Sequence, residues 1–194
     1  MKKILIPLLF LLSASAAFAQ KDSLSFDGNN KYIYYRVVEQ PGLTVDTFQN
    51  RMLYLLKTTF PESRISSKTR LGNIRGTGKF IVLSGISAVK HDDGEIQYTF
   101  YIQYREQRYR YWLTNFVFIP YKVDDFGNKQ LQARLRVTLE HAAVKLHKKQ
   151  FNRYLNETGG YCIRFGNEVG KYMAHLSRMH IRINRKKIII TNNW

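Results

Sequence analysis

The chain has 194 residues, with 31 Lys and Arg against 14 Asp and Glu, a formal charge of +17, and 44% hydrophobic and 14% aromatic residues. A chain of this length can bury roughly 70% of its unfolded surface, enough for a core without metal or disulfide staples, and so many aromatics with only 12 Gly and 4 Pro exclude low-complexity disorder. Past the N-terminus no run approaches the ~20 apolar residues of a membrane-spanning helix, and so large a positive excess points to anionic partners.

Residues 1–19 read as a secretory signal peptide. Lys2 and Lys3 precede an apolar run from Ile4 to Leu12, and Ala17-Phe18-Ala19 is a small-x-small cleavage site. The exported chain is expected to start at Gln20, in the periplasm or outside the cell. Residues 20–30 form a polar leader. The Tyr and Val content of Lys31–Glu39 predicts a strand, which Pro41-Gly42 interrupts. Thr44 or Asp46 can cap a helix carrying Val45, Phe48, Met52, Leu55, Leu56 and Thr59 at helical spacing, and Pro61 ends it.

Short strands follow. Ile65–Arg70 is a weak one. Asn73–Leu83 is stronger, with Gly76 and Gly78 marking a bulge or a close backbone approach. Asp92-Asp93-Gly94 reads as a turn. Ile96, Tyr98, Phe100, Ile102 and Tyr104 then alternate with Gln97, Thr99, Tyr101, Gln103 and Arg105. After a Glu106-Gln107 turn, Arg108–Ile119 returns as an aromatic strand with Tyr109, Tyr111, Leu113, Val117 and Ile119 on one face, an antiparallel hairpin. Asp124–Asn128 is another turn. Leu131, Ala133, Leu135, Val137 and Leu139 alternate with polar residues, which argues for a strand. From Lys148 the period lengthens: Phe151, Tyr154, Leu155, Thr158, Cys162, Phe165, Val169, Tyr172, Met173 and Leu176 share a helical stripe, with a break or kink expected at Gly159-Gly160. Residues 179–194 are basic and β-prone.

The order of strand, helix and antiparallel strands, the Gly-x-Gly strand Arg75–Phe80, the aromatic hairpin Tyr98–Pro120, and the stretches Tyr154–Gly159 and Phe165-Gly166-Asn167 together resemble a family. They are similar to small exported domains of unknown function with a TATA-binding-protein-like (TBP-like) fold, common in Bacteroidetes-type bacteria. The resemblance covers roughly residues 31–122. It implies an α+β fold with a curved antiparallel sheet, helices on one face and a C-terminal helix. It supplies no activity and no catalytic residue, because such a fold hosts many functions. The expected organisation is a TBP-like domain at 31–122, an extension at 123–178 holding a strand and a long helix, and a basic tail at 179–194.

Motifs for the common chemistries fail on spacing. After Gly76-x-Gly78, Ile81 stands where a dinucleotide loop needs glycine. Gly78-Lys79 is followed by Phe80 where a P-loop needs Ser or Thr. Thr77 and Lys79 occupy the places where an RNA-recognition strand carries stacking aromatics, so no nucleic-acid partner is expected. The five histidines lack metal-site spacing, and no cofactor or catalytic residue is assigned. Cys162, the one cysteine, sits among apolar neighbours and reads as a buried thiol.

Two function classes follow. The favoured one is an exported, non-catalytic binding module. Its candidate residues are Tyr101, Trp112, Phe116 and Phe118, opposite the core stripes, and the basic cluster Arg178, Arg182, Arg185, Lys186 and Lys187. The alternative for those aromatics is a second covering layer made by the long C-terminal helix. The expected partner is an anionic envelope surface, either lipid head groups or acidic glycans, or another exported protein. The other class is an enzyme on an envelope polymer, acting through carboxylates the pattern does not single out; Asp92-Asp93 and Asp124-Asp125 have a simpler reading as turn residues.

Overall fold

The computed structural model describes residues 23–84, 91–105 and 107–174. The signal-peptide reading at 1–19, the turn residue Glu106, the basic tail at 179–194 and the candidate cluster from Arg178 to Lys187 lie outside these residues.

Among the described residues eight strands form one antiparallel sheet: β1 (Ser25–Phe26), β2 (Tyr32–Glu39), β3 (Arg64–Lys68), β4 (Ile74–Ser84), β5 (His91–Arg105), β6 (Arg108–Val123), β7 (Lys129–Leu131) and β8 (Val137–Thr138). The order across it is β1-β2-β6-β5-β4-β3, with β7 and β8 paired to the far end of β6. Among the described residues three α-helices complete the fold: α1 (Val45–Thr58), α2 (Leu139–Lys145) and α3 (Lys148–Ala174). The predicted α+β class, strand-helix-strands order and C-terminal helix are all present, and the expected hairpin is the sheet's centre, with Arg105 opposite Arg108 and Phe100 opposite Leu113.

The helices sit on one face because their apolar stripes match one face of the hairpin. Thr44 Oγ1 accepts the Thr47 N–H at 3.3 Å and starts α1. Phe48, Met52, Leu55 and Leu56 are buried from that helix, and Phe48 packs 5.5 Å from Tyr109. From α3, Tyr154, Leu155, Thr158, Cys162, Phe165, Val169 and Met173 are buried, as their spacing predicts. Phe165 meets Tyr111 of the sheet at 5.9 Å and Phe60, just after α1, at 4.8 Å. Tyr54 of α1 lies 6.0 Å from Tyr172 of α3, and Arg51 donates to the Met173 carbonyl at 2.7 Å. Both helices therefore lie side by side on the face of Ile96, Tyr98, Phe100 and Ile102, and α3 does not cover the other face.

Gly76 and Gly78 are explained by close approach. Gly76 lies opposite Phe100 and Gly78 opposite Tyr98, and a Cβ at either glycine would come within 2.4 Å of the opposing ring. The rings fill the space the glycines leave.

Four expectations need correction. The break at Gly159-Gly160 is absent: α3 runs unbroken, because both glycines are buried against the sheet and tertiary packing outweighs the ~1 kcal/mol each costs in a helix. The alternation of Leu131–Leu139 is not one strand but β7, a 3-10 turn at Ala133–Leu135, β8 and the start of α2, where Leu139 is fully buried. Asp92-Asp93-Gly94 is not a turn but the start of β5. Val82 pairs with Gly94 and Leu83 with Asp92, so Asp93 is the extra residue of a bulge. The fourth correction concerns β6. Thr114 pairs with Thr99 but Val117 with Gln97, so Asn115 and Phe116 together oppose Tyr98. Asn115 has φ 55°, a left-handed conformation Asn tolerates. The extra residue swaps the two faces of β6 beyond it.

Candidate functional site

The helix-free face carries a row of side chains that crosses four strands. Arg75 of β4 lies opposite Tyr101 of β5, Tyr101 opposite Trp112 of β6, and Trp112 opposite Tyr35 of β2. Period-2 alternation places all four on one face, since their neighbours Ile74, Ile102, Tyr111 and Tyr34 point into the core. The Tyr101 and Trp112 rings stack at 4.9 Å with 10° between their planes. The Arg75 guanidinium lies 5.2 Å from the Tyr101 centroid, and that of Arg110 lies 5.6 Å from the Trp112 centroid. Tyr35 adds a tilted contact to Trp112 at 6.3 Å.

This geometry has a chemical consequence. The π faces of Tyr101 and Trp112 are spent on each other and on the arginines, which leaves their edges for an incoming molecule. An aromatic edge carries the positive side of the ring quadrupole. With a guanidinium against each ring, the row suits an anionic or acceptor-rich ligand better than a flat base or sugar ring. Arg110 Nε donates to the Gln103 amide oxygen Oε1 at 2.7 Å, which fixes that guanidinium in place. Neither Arg75 nor Arg110 has an acidic partner within ion-pair distance among the described residues.

Further along the same face Lys79 donates to Glu95 Oε2 at 3.0 Å and lies 3.7 Å from Glu62. The hydrogen bond to Glu95 raises the Lys79 pKa, which keeps the amine charged. Glu95, 2% exposed, also accepts from Gln97 at 2.8 Å.

Of the residues expected to form a binding surface, Tyr101 and Trp112 come together. Phe116 and Phe118 do not join them. They are 0% and 3% exposed and point into the core, with Phe118 4.4 Å from Tyr154. The bulge at Asn115 is the cause, because it turns the residues that strict alternation assigns outward to the helix side. Sequence reading missed Arg75, Arg110 and Tyr35. Arg110 and Trp112 share a parity on β6 that could have joined them; Arg75 and Tyr35 depend on cross-strand register.

Asp92, Asp93 and Asp124 make structural contacts. Asp92 pairs with Lys129 at 2.7 Å. Asp93 accepts from Arg153 at 2.9 Å and from the Tyr154 hydroxyl, whose pKa burial and this carboxylate push above the ordinary tyrosine range. Asp124 closes its turn by accepting from the Phe126 and Asn128 amides, and the Asn128 backbone bond lowers its pKa. Burial raises the Cys162 thiol well above the usual range, so it is a packed thiol and not an activated one. Among the described residues no group of three His, Cys, Asp or Glu is arranged to hold a metal ion.

Residues 34–119 match a family described as a domain of unknown function (DUF4468) with TBP-like fold. Over this stretch the chain is similar to that family. The DUF4468 match begins in β2 and ends in β6, so it contains the whole stacked row. A solved TBP-like protein from Parabacteroides distasonis is similar with a TM-score of 0.60 and 17% identity, covering 78% of this chain and 97% of that one. A DUF4468 family protein from Bacteroides ovatus is similar with a TM-score of 0.57 and 14% identity, covering 79% of this chain and 92% of that one. At such identities the likeness is one of fold, and the fold is TBP-like. No curated protein matches the chain.

Proposed function

We propose that this protein is an exported, non-catalytic binding module that takes an anionic partner of the cell envelope on its helix-free sheet face. The observation that carries the reading is the Arg75, Tyr101, Trp112 and Arg110 cluster, two stacked rings with a guanidinium against each. Guanidinium groups stay charged at any physiological pH and bind anions without transferring protons, so the row is equipped for recognition. Export is supported by the Lys2-Lys3, Ile4–Leu12 and Ala17–Ala19 pattern. The basic cluster Arg178–Lys187 would add to the same attraction.

The test is binding of the full exported chain to vesicles containing anionic lipid and, separately, to an acidic polysaccharide, across a salt series. Each Lys or Arg near an anionic surface contributes about 1 kcal/mol. Arg75→Ala with Arg110→Ala should therefore weaken the preferred ligand roughly 30-fold, with the loss shrinking as the Debye length falls from ~10 Å at 0.1 M salt to ~3 Å at 1 M. A chain ending before Arg178 measures the tail separately. Binding to neither ligand, or binding that ignores the two arginines, rules the reading out.

A further inference from the structure

β4 is flanked on both sides over only part of its length. β3 pairs with Ile74–Thr77, whereas β5 pairs with Ile74–Ser84. From Gly78 onward the outer edge of β4 has no strand beside it among the described residues. One bond fixes the direction of its backbone groups: the Leu83 N–H leaves the sheet and donates to Glu157 Oε2 of α3 at 3.1 Å. Backbone groups alternate sides along a strand, so the N–H and C=O of Ile81 and Lys79 point out of the same edge.

The edge opens into a groove of about 960 Å³ between β4 and α3. Its floor is Phe80, stacked on Tyr161 at 4.2 Å and 12°. Ile81 projects beside it, 52% exposed. The opposite wall is one ridge of α3, Lys148, Asn152, Asn156 and Arg164, whose positions are four or eight apart, and Lys149 flanks it. Among the described residues Lys148, Lys149 and Arg164 have no acid within ion-pair distance. Glu157, the acid of the lining, has its carboxylate on the Leu83 amide.

An unpaired edge with outward backbone groups, an apolar floor and a cationic wall is what an extended acidic peptide needs. Its backbone would extend the ladder, its apolar side chains would lie beside Ile81 on one side of the sheet, and the alternate ones, on the Phe80 side, would carry carboxylates toward the cations of α3. We propose that β4 binds an extended, acidic segment of a partner protein by strand addition at Lys79–Leu83. The chain's own segment from Arg178 to Lys187 has the wrong sign for this wall. The proposal is independent of the sheet-face reading, because the edge and the face use different groups.

The probe is a capped nonapeptide alternating Glu with Val and Thr, compared with its Lys-for-Glu counterpart, titrated into the full exported chain. The acidic peptide should bind and the basic one should not. Ile81→Pro removes one outward N–H at an edge position where proline is tolerated and should weaken the acidic peptide at least tenfold. Lys148→Glu with Lys149→Glu and Arg164→Glu changes only side chains on the groove wall and should exchange the preference between the two peptides. Equal binding of the two peptides, no binding of either, or affinity insensitive to both groove variants overturns the proposal. Concentration-dependent self-association that Ile81→Pro abolishes also overturns it, by assigning the edge to a second copy of this chain.

Discussion

At Asn115 the backbone takes φ 55°, and Lys31 Nζ donates to the Asn115 side-chain oxygen at 2.8 Å. A β-branched residue is strained in that conformation, at about 1–2 kcal/mol, so Asn115→Val should lower stability by that amount while Asn115→Gly should not. Beyond the bulge, Phe116→Ala should cost about 3–5 kcal/mol as a fully buried ring, and Trp112→Ala clearly less, because its indole is only partly covered. Denaturant melts of the four variants decide this; a Trp112 loss equal to that of Phe116 would show that the second face is also core. The same residue marks where the sequence stopped being legible. Alternation gives the inward side of Ile96–Ile102 and of Tyr109–Leu113 correctly, because those stretches are regular. It then fails at Phe116 and Phe118, since one extra residue inverts every later assignment. Asn in a strand is not by itself a signal of a bulge, and the stacked arginines depend on a register that only the folded sheet supplies.

For whole elements, periodicity serves α1 and α3 well because each buries one continuous stripe on the sheet. It misled at Leu131–Leu139, where three short pieces happen to keep period 2 while the chain turns around the end of β6. Glycine was read as a breaker in α3, yet Gly166 shows a different use. A Cβ there would lie 2.5 Å from the Tyr34 hydroxyl and 2.9 Å from that of Tyr111. Helix propensity alone favours Gly166→Ala by about 1 kcal/mol. Because α3 would have to lift from the sheet, the substitution should instead destabilise by about 1–3 kcal/mol. Thermal melts check the sign, and a stabilised variant would mean that the tyrosines move aside freely.

Over the whole molecule the core is rich in phenols. Tyr98 bonds Tyr161, hydroxyl to hydroxyl, at 2.6 Å. Burial pushes the pKa values of Tyr98 and Tyr109 up to about 12, and those of Tyr111 and Tyr161 higher still. Folding thus holds these groups protonated above the ordinary tyrosine pKa of about 10. In that range the unfolded chain binds fewer protons than the native one, so stability falls as pH rises. Their contribution is complete below about pH 10 and is lost progressively as pH climbs through about 12. The denaturant midpoint should fall across that window together with the appearance of tyrosinate absorbance. A midpoint that stays flat to pH 12 would contradict the burial of these hydroxyls.

The position of β6 has a consequence for how the chain assembles. It borders β2, β5, β7 and β8, so nearly every other part of the sheet must wait for it or for its hairpin partner. Closing Arg105 onto Arg108 spans the shortest loop in the sheet, whereas joining Glu39 to Arg108 must also bring in α1, β3, β4 and β5. Loop-closure entropy rises with the length of chain enclosed. The topology therefore ranks its own contacts: the central hairpin is the least costly nucleus, β4 and β7 attach next because they are its neighbours in sequence, and β2 docks onto an edge already formed. In this protein the strand that carries Trp112 and Arg110 is also the template on which the rest of the sheet is ordered.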